Sequence, residues 1–168
     1  IRDPDEIERY LHLDLLAAVP RYEEEHDTLA TEAYQNLRTA LIFARREERG
    51  QVVLVTGTAP QEGKTTTIVN LAKLLAGSGE KTVVVDCDLR RAQLHQRPPA
   101  LLARKQLAAL LADLAAEFEW VLVDSPPLAS VTDALLLARH ADHTVLVVQH
   151  DKVDKKPMPI LIEAVGTV

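Results

Sequence analysis

The stretch QVVLVTGTAPQEGKTTTIVNLAKLLAG, residues 51–77, constrains the fold of this chain more than any other segment. A Gly-containing loop lies between an apolar run that is typical of a buried strand and a run that is typical of a helix. We interpret the loop as the pattern G-x-x-x-x-G-K-[ST], with Gly57, Gly63, Lys64 and Thr65 at its fixed positions. The backbone N–H groups of such a loop point inward and the helix N-terminus adds positive potential, so the segment is predicted to bind a polyphosphate.

The two residues after the second glycine have separate expected roles. The Lys64 ammonium group would reach the β and γ phosphates of a nucleotide, and the Thr65 hydroxyl would bind Mg²⁺. A chance Gly-rich turn is the alternative, and the position of the loop between a strand and a helix argues against it.

The rest of the chain alternates short apolar runs with longer runs of helical spacing. Strands are predicted at LLAAVP, KTVVVDCD, WVLVDSPP and HTVLVVQH, and helices at IRDPDEIERYLHL, LLARKQLAALLADLAAEF and SVTDALLLARHA. A long helix is predicted from Thr28 to Glu48, with an apolar face made of Leu29, Ala33, Leu37, Ala40, Leu41 and Ala44. This alternation favours an α/β fold with a doubly wound, mostly parallel sheet and flanking helices.

Three acidic residues follow predicted strands. Asp86 and Asp88 end the first predicted strand after the loop, and Asp124 ends the next one. Alternate strand residues point the same way, and ligands of open α/β sheets bind at the carboxyl ends of the strands. We therefore expect Asp86 and Asp88 to act as metal ligands or general bases and Asp124 to hold Mg²⁺. The alternative is that these carboxylates cap helices or turns and pair with Arg90 or Arg91.

Composition narrows the class of protein. A length of 168 residues fits one domain better than two, and 47% hydrophobic residues is a globular value. The net charge of −6 argues against a nucleic-acid partner. The single Cys87 excludes an internal disulfide and is expected to be a small buried apolar residue. No apolar run approaches the ~20 residues of a membrane span, so any membrane connection is expected through a partner or through sequence outside this chain.

Together these motifs resemble the bacterial tyrosine kinases, the cytoplasmic kinase domains of polysaccharide co-polymerases. The acidic box VVVDCDLR, residues 83–90, and the segment Asp124-Ser125-Pro126-Pro127 match the family's patterns. The resemblance implies an ATP- and Mg²⁺-dependent enzyme that phosphorylates tyrosines of neighbouring subunits and regulates exopolysaccharide or capsule synthesis. It implies catalytic roles for Lys64, Asp86 and Asp88 and metal binding by Thr65, Asp86, Asp88 and Asp124. The implied nucleotide-binding residues are Gly57, Gln61, Glu62, Gly63, Lys64, Thr65, Thr66 and Arg90.

The same resemblance implies partners and a location. TEAYQNLRTALIFA resembles the family's Glu-x-x-Arg-x-x-Arg helix, which joins subunits in a ring; Glu32 and Arg38 match, and Gln35 replaces the first arginine. The expected partners are other copies of this chain, a membrane co-polymerase or activator segment that can belong to the same polypeptide, and a cognate tyrosine phosphatase. The expected location is the cytoplasmic side of the plasma membrane.

We expect one domain over residues 1–168, made of three parts. Residues 1–27 form a juxtamembrane-type segment, 28–48 an oligomerisation helix, and 49–168 a nucleotide-binding core. The family has more residues where this chain has only QRPPA, and it continues into a tyrosine-rich tail beyond VGTV. We therefore expect loops and a tail to be missing from the core, since the tyrosines here are Tyr10, Tyr22 and Tyr34.

Two further functions stay open. One is a P-loop ATPase switch of the partition or septum-site type, which is disfavoured because the segment from Gly57 to Glu62 lacks that group's signature lysine. The other is a nucleotide-binding regulatory domain without turnover, which the substitution at Gln35 and the absence of tail tyrosines would allow.

Overall fold

A computed structural model describes residues 13–20, 28–45, 49–88, 104–128 and 131–149. Its elements, in chain order, are α1 (Thr28–Ala44), β1 (Gln51–Gly57), α2 (Lys64–Gly77), β2 (Thr82–Asp86), α3 (Arg104–Glu117), β3 (Trp120–Asp124), α4 (Val131–Ala138) and β4 (His143–Val147). Residues 1–12 of the predicted N-terminal helix lie outside the described residues, as do Arg90, the QRPPA segment and residues 150–168.

The four strands form one sheet in the order β2-β3-β1-β4, and every neighbouring pair is parallel. The chain thus starts the sheet at β1 and adds strands on both sides of it. This arrangement confirms the predicted α/β class with a parallel sheet and flanking helices.

Helices cover both faces of the sheet because successive strand residues point to opposite sides. Val53 and Val55 of β1 pack with α1 and α2 in one apolar cluster. Val52 and Leu54 pack with α3 and α4 in a second cluster. β1 and β3 are buried along their whole length, so they form the rigid centre on which the neighbouring loops are placed.

Three details differ from the sequence predictions. α1 ends at Ala44, and its buried face includes Ala30 and Tyr34, whereas Leu29 is 65% exposed. The predicted LLAAVP strand is wrong, because residues 13–20 contain neither helix nor strand; Ala17 instead packs against the first cluster. The continuous run of valines in β2 predicts a strand that is covered on both faces. Instead β2 lies at an edge of the sheet, and its Val84 is 47% exposed.

Candidate nucleotide-binding site

The carboxyl ends of β1, β2 and β3 bring the predicted residues to one edge of the sheet. In the strand register Asp86 lies opposite Asp124, and Asp124 lies opposite Val55. Gly57 ends β1 two residues beyond that level, and the loop that follows leads into α2. The register therefore places the acidic residues beside the base of the loop, as the sequence predicted.

The loop presents an open helix N-terminus. α2 begins at Lys64, and its N-cap is Gly63, which has a left-handed conformation with φ of 97° and no side chain that could cap the helix. The first N–H groups of a helix have no partner within the helix. At this end of α2 they can bind an anion, and the helix dipole adds to the attraction.

The spacing of the loop requires a correction. Five residues separate Gly57 from Gly63, one more than G-x-x-x-x-G-K-[ST] allows, so Thr58 occupies the first position of the strict pattern. Gly57 has another reason to be glycine. A Cβ atom there would lie 2.5 Å from Glu62 Oε2, 3.1 Å from the Val147 carbonyl oxygen and 3.2 Å from Lys64 Cδ. The close packing at the base of the loop leaves no room for a side chain.

Lys64 and Thr65 occupy the positions predicted for phosphate and metal binding. The Lys64 side chain is buried, with 7% of the residue exposed, and its Nζ donates a hydrogen bond to the Ala59 carbonyl oxygen at 3.1 Å. The Thr65 hydroxyl donates to Asp124 Oδ2 at 2.9 Å. The loop and the end of β3 are thus joined by the two groups predicted to share a magnesium ion.

The surroundings of the Asp124 carboxyl group disfavour its ionised form. Burial raises its pKa above the ordinary value, and the charges of Asp86 and Asp88 raise it further. The hydrogen bond from Thr65 and the charge of Lys64 oppose this rise. A buried carboxylate beside two others gains stability from a cation.

Magnesium fits this donor set. Hydroxyl and carboxylate oxygens are its preferred ligands, and it usually combines one or two protein carboxylates with waters and substrate phosphates. Within the described ranges, no three His, Cys, Asp or Glu side chains converge into a complete metal site of their own. A site that relies partly on nucleotide phosphates agrees with that finding.

Asp86 and Asp88 differ in exposure and in partners. Asp86 is exposed and its Oδ1 accepts a hydrogen bond from the Asp88 N–H at 2.9 Å, while Asp88 is half-buried. Both influence the Asp124 carboxyl group electrostatically, so the three acids share one region. Cys87 between them points into the apolar cluster on the α3 side, as predicted.

Two groups that build the site, Ser125 and Thr58, were not predicted from the sequence. The buried Ser125 hydroxyl lies 3.2 Å from the Val55 carbonyl oxygen and 3.1 Å from that of Pro126, so it joins the ends of β1 and β3. The Thr58 hydroxyl hydrogen-bonds to Glu62 Oε1. A strict count of the loop spacing would have drawn attention to Thr58, whereas nothing in the sequence indicated that Ser125 faces inward.

The predicted interface residues lie along α1. Glu32 and Gln35 are exposed, but Arg38 is half-buried and forms an ion pair with Glu80 at 3.4 Å within the same chain.

Of the other predicted nucleotide-binding residues, Gln61 of the loop and Thr66 of α2 are both exposed. Arg90 lies outside the described residues.

Comparison with known families then gives a direct assignment. The CobQ/CobB/MinD/ParA nucleotide binding domain matches residues 53–165, which is more than half of the chain. The chain belongs to this family. The match begins in β1 and includes the loop, the acidic residues and β4.

Similar proteins include several bacterial tyrosine kinases. The tyrosine-protein kinase YwqD of Bacillus subtilis is 28% identical over 85% of this chain and 78% of its own length. The tyrosine-protein kinase wzc of Salmonella typhimurium is 27% identical over 86% of this chain, and the kinase ptk of Acinetobacter johnsonii is 24% identical over 96%. The matched part spans only 25% of wzc and 31% of ptk.

Solved structures agree with this grouping. The BceF tyrosine kinase domain superposes with a TM-score of 0.89 at 28% identity, and the match covers 99% of this chain and 93% of that one. The kinase domain of Escherichia coli ETK superposes with a TM-score of 0.88 at 23% identity, which shows the shared fold. The resemblance to bacterial tyrosine kinases that the motifs indicated is confirmed. Among the helices in the described residues, none is long and apolar enough to span a membrane.

Proposed function

We propose that this chain is an ATP-dependent protein-tyrosine kinase that regulates exopolysaccharide or capsule synthesis. The observation that carries the proposal is the join between the loop and the acidic edge: Thr65 bonded to Asp124, with Asp86 and Asp88 beside them. The names of the similar proteins, several of which are tyrosine kinases, support the same chemistry.

In the proposed reaction the loop holds the triphosphate. Lys64 binds the β and γ phosphates, and the first N–H groups of α2 bind the same region. Thr65 and Asp124, with Asp86, would hold Mg²⁺. When bound, this ion would neutralise charge on the phosphates and align them. The protein thus contributes position and electrostatic stabilisation.

The remaining acid activates the acceptor. Asp88, or Asp86 if their roles are exchanged, takes the proton of the tyrosine hydroxyl as that oxygen attacks the γ phosphate. A phenol has a pKa of about 10, which makes this transfer easier than one from a serine hydroxyl. Transfer of the phosphoryl group leaves ADP and phosphotyrosine.

The acceptor tyrosine is proposed to come from a neighbouring subunit. Tyr34 is 4% exposed and packs in the core, which makes it a poor acceptor. Tyr10 and Tyr22 lie outside the described residues. Since the chain spans only about a quarter to a third of wzc and ptk, the acceptor, the membrane segment and the location at the plasma membrane are proposals for a larger assembly.

The test is incubation of the chain with Mg-ATP and a tyrosine-containing acceptor, followed by phosphotyrosine detection and peptide mapping. We expect Lys64→Met to reduce the signal at least ~100-fold, because charge on the transferring group loses its main protein cation. Lys73→Met, an exposed position on the same helix, is the matched control and should retain the signal. Phosphotyrosine that persists in Lys64→Met would rule out the proposed mechanism.

A second candidate is an ATPase switch, because the description of the matching family includes MinD and ParA. Phosphate release from ATP without any phosphotyrosine would favour it. The loop from Thr58 to Glu62 contains no lysine, which argues against this reading. A chain that binds nucleotide but releases no phosphate and forms no phosphotyrosine would instead be a regulatory domain.

Self-association through α1 is a separate part of the proposal. Glu32 and Gln35 are exposed and available to a neighbour, whereas Arg38 already pairs with Glu80. We expect Gln35→Arg to strengthen self-association and Glu32→Arg to weaken it, each by ~5-fold in sedimentation measurements, since one adds and one reverses an interfacial charge. Ala112→Arg, which adds a charge at an exposed position on α3, should leave self-association unchanged. Equal sedimentation of all four proteins would remove α1 as the interface.

A further inference from the structure

The Glu62 carboxylate is buried inside the loop, with 8% of the residue exposed. Its Oε2 accepts a hydrogen bond from the Ala59 N–H at 2.8 Å, and its Oε1 is hydrogen-bonded to the Thr58 hydroxyl. One side chain thus satisfies two groups on the opposite limb of the loop. The mechanism proposed above gives this carboxylate no role.

The carboxylate lies at the base of the loop. Oε2 is 2.5 Å from the point where a Cβ of Gly57 would be, next to the Val147 carbonyl oxygen and the stem of Lys64. It is therefore packed against the ends of β1 and β4. A carboxylate that pointed at the bound phosphates would repel them. A carboxylate that is buried at the base of the loop can instead hold the loop in one conformation.

The Ala59 peptide group is held from both sides. Its N–H donates to Glu62, and the carbonyl oxygen of the same residue accepts from Lys64 Nζ at 3.1 Å. The orientation of this residue therefore couples the position of Glu62 to the position of the Lys64 ammonium group.

The loop needs such a brace for local reasons. Gln61 adopts a left-handed backbone conformation with φ of 63°, which is unfavourable for a residue with a side chain. Thr58 stands where the strict motif has glycine, and its hydroxyl is used in the contact with Glu62. Cross-loop hydrogen bonds can hold a strained turn in one conformation.

We infer that Glu62 is a positioning residue, which with Thr58 fixes the phosphate loop in its binding conformation and acts on the nucleotide through Ala59 and Lys64. The inference rests on the proposed nucleotide site and adds the residue that sets its geometry. Glu62 does not touch the nucleotide in this scheme. Its removal should weaken binding because the loop must then be ordered at the expense of binding free energy.

The test measures the affinity of the 168-residue chain for fluorescent ADP and ATP analogues. We expect Glu62→Ala and Thr58→Val each to weaken binding, Glu62→Ala by ~10-fold and Thr58→Val by less, since two hydrogen bonds and one are lost. Glu62→Gln should restore affinity to within ~3-fold of the wild type, because an amide can accept from the Ala59 N–H and donate to the Thr58 hydroxyl. In the nucleotide-free chain, the Ala59 amide should exchange with solvent faster in Glu62→Ala than in Glu62→Gln.

Glu119→Ala is the matched control, because Glu119 also accepts a backbone hydrogen bond, from the Lys81 N–H at 2.8 Å, but at the opposite edge of the sheet. It should leave nucleotide affinity unchanged. Unaltered affinity in Glu62→Ala would overturn the inference, and tighter binding would overturn it by showing that the carboxylate opposes the nucleotide. A wild-type chain that binds no nucleotide would refute the proposed function instead, so the two failures are distinct.

Discussion

The two edges of the sheet contain acidic side chains of opposite character. At the side of the sheet where the strands begin, here called the amino edge, Glu80 accepts hydrogen bonds from the Arg38 guanidinium group and from the Trp120 indole N–H. Asp142 there accepts two hydrogen bonds from Arg49, the shorter at 2.6 Å. Each of these two carboxylates has a cation beside it.

At the carboxyl edge the acids are next to one another. Asp124 has a hydroxyl partner in Thr65, and its pKa is raised by burial and by Asp86 and Asp88. Among the described residues, Lys64 is the cation that acts on it, and it does so more weakly than these carboxylates.

The contrast separates structural from functional charge. Paired charges at the amino edge stabilise the contact between α1 and the sheet, or between strand ends, and need no ligand. Carboxylates held together without a matching cation lower stability until a cation arrives, and perturbed acids of this kind cluster at functional sites. The two edges therefore differ: charges are paired at the amino edge, whereas the carboxyl edge gathers acids that a bound cation would stabilise.

The largest expected effect is that of Asp124→Asn. We expect the affinity for Mg-ADP to fall by ~10- to 100-fold, because the buried carboxylate proposed to hold the metal is lost. Binding of ADP without magnesium should change little. Isothermal titration with and without Mg²⁺ measures both, and an equal loss in the two conditions would show that Asp124 supports the loop and not the metal.

The same variant gives a pH test of the carboxyl edge. The folded-state pKa of Asp124 is raised, so the folded chain holds a proton that the unfolded chain releases, and stability without metal falls as pH rises through that interval. We expect the metal-free Tm of Asp124→Asn to be higher than that of the wild type at pH 7 and to approach it on acidification. Mg²⁺ should raise the Tm of the wild type only. A lower Tm for the variant at pH 7 would contradict the comparison.

Sequence reasoning predicted the carboxyl edge better than the amino edge, for a physical reason. Lys64, Thr65 and the three acids are fixed in sequence next to strand ends, and parallel strands bring such ends together. The contacts of Glu80 depend on the docking of α1, residues 38 and 80 being far apart along the chain, and no local pattern encodes that docking. The family resemblance implied that Glu62 binds the nucleotide; the bracing role proposed here depends on side-chain direction within an irregular loop, which the sequence does not encode locally.

A smaller effect is expected from Glu80→Gln at the amino edge. The variant loses the ion pair with Arg38 but can still accept from the Trp120 N–H, so we expect a loss of ~1 kcal/mol in the free energy of unfolding. Denaturant titration followed by the fluorescence of Trp120, the chain's single tryptophan, measures it directly. Nucleotide affinity should stay within error of the wild type. A tenfold change in that affinity would show that the two edges are coupled.

The smallest effect of a bound ligand is expected at Cys87, which lies beside the acids yet belongs to the core. Burial, then the charges of Asp86 and Asp124, raise the pKa of its thiol to about 11. The native thiol should therefore react with iodoacetamide at pH 8 at least ~100-fold more slowly than in denaturant, since only the thiolate is nucleophilic. Stability should decline between about pH 9 and about pH 11, because the unfolded thiol ionises first. Bound Mg-nucleotide would offset part of the charge of Asp86 and Asp124, but burial is the larger cause of the raised pKa. The bound ligand should therefore accelerate alkylation of Cys87 only slightly. A large acceleration would mean that ligand binding opens this part of the core.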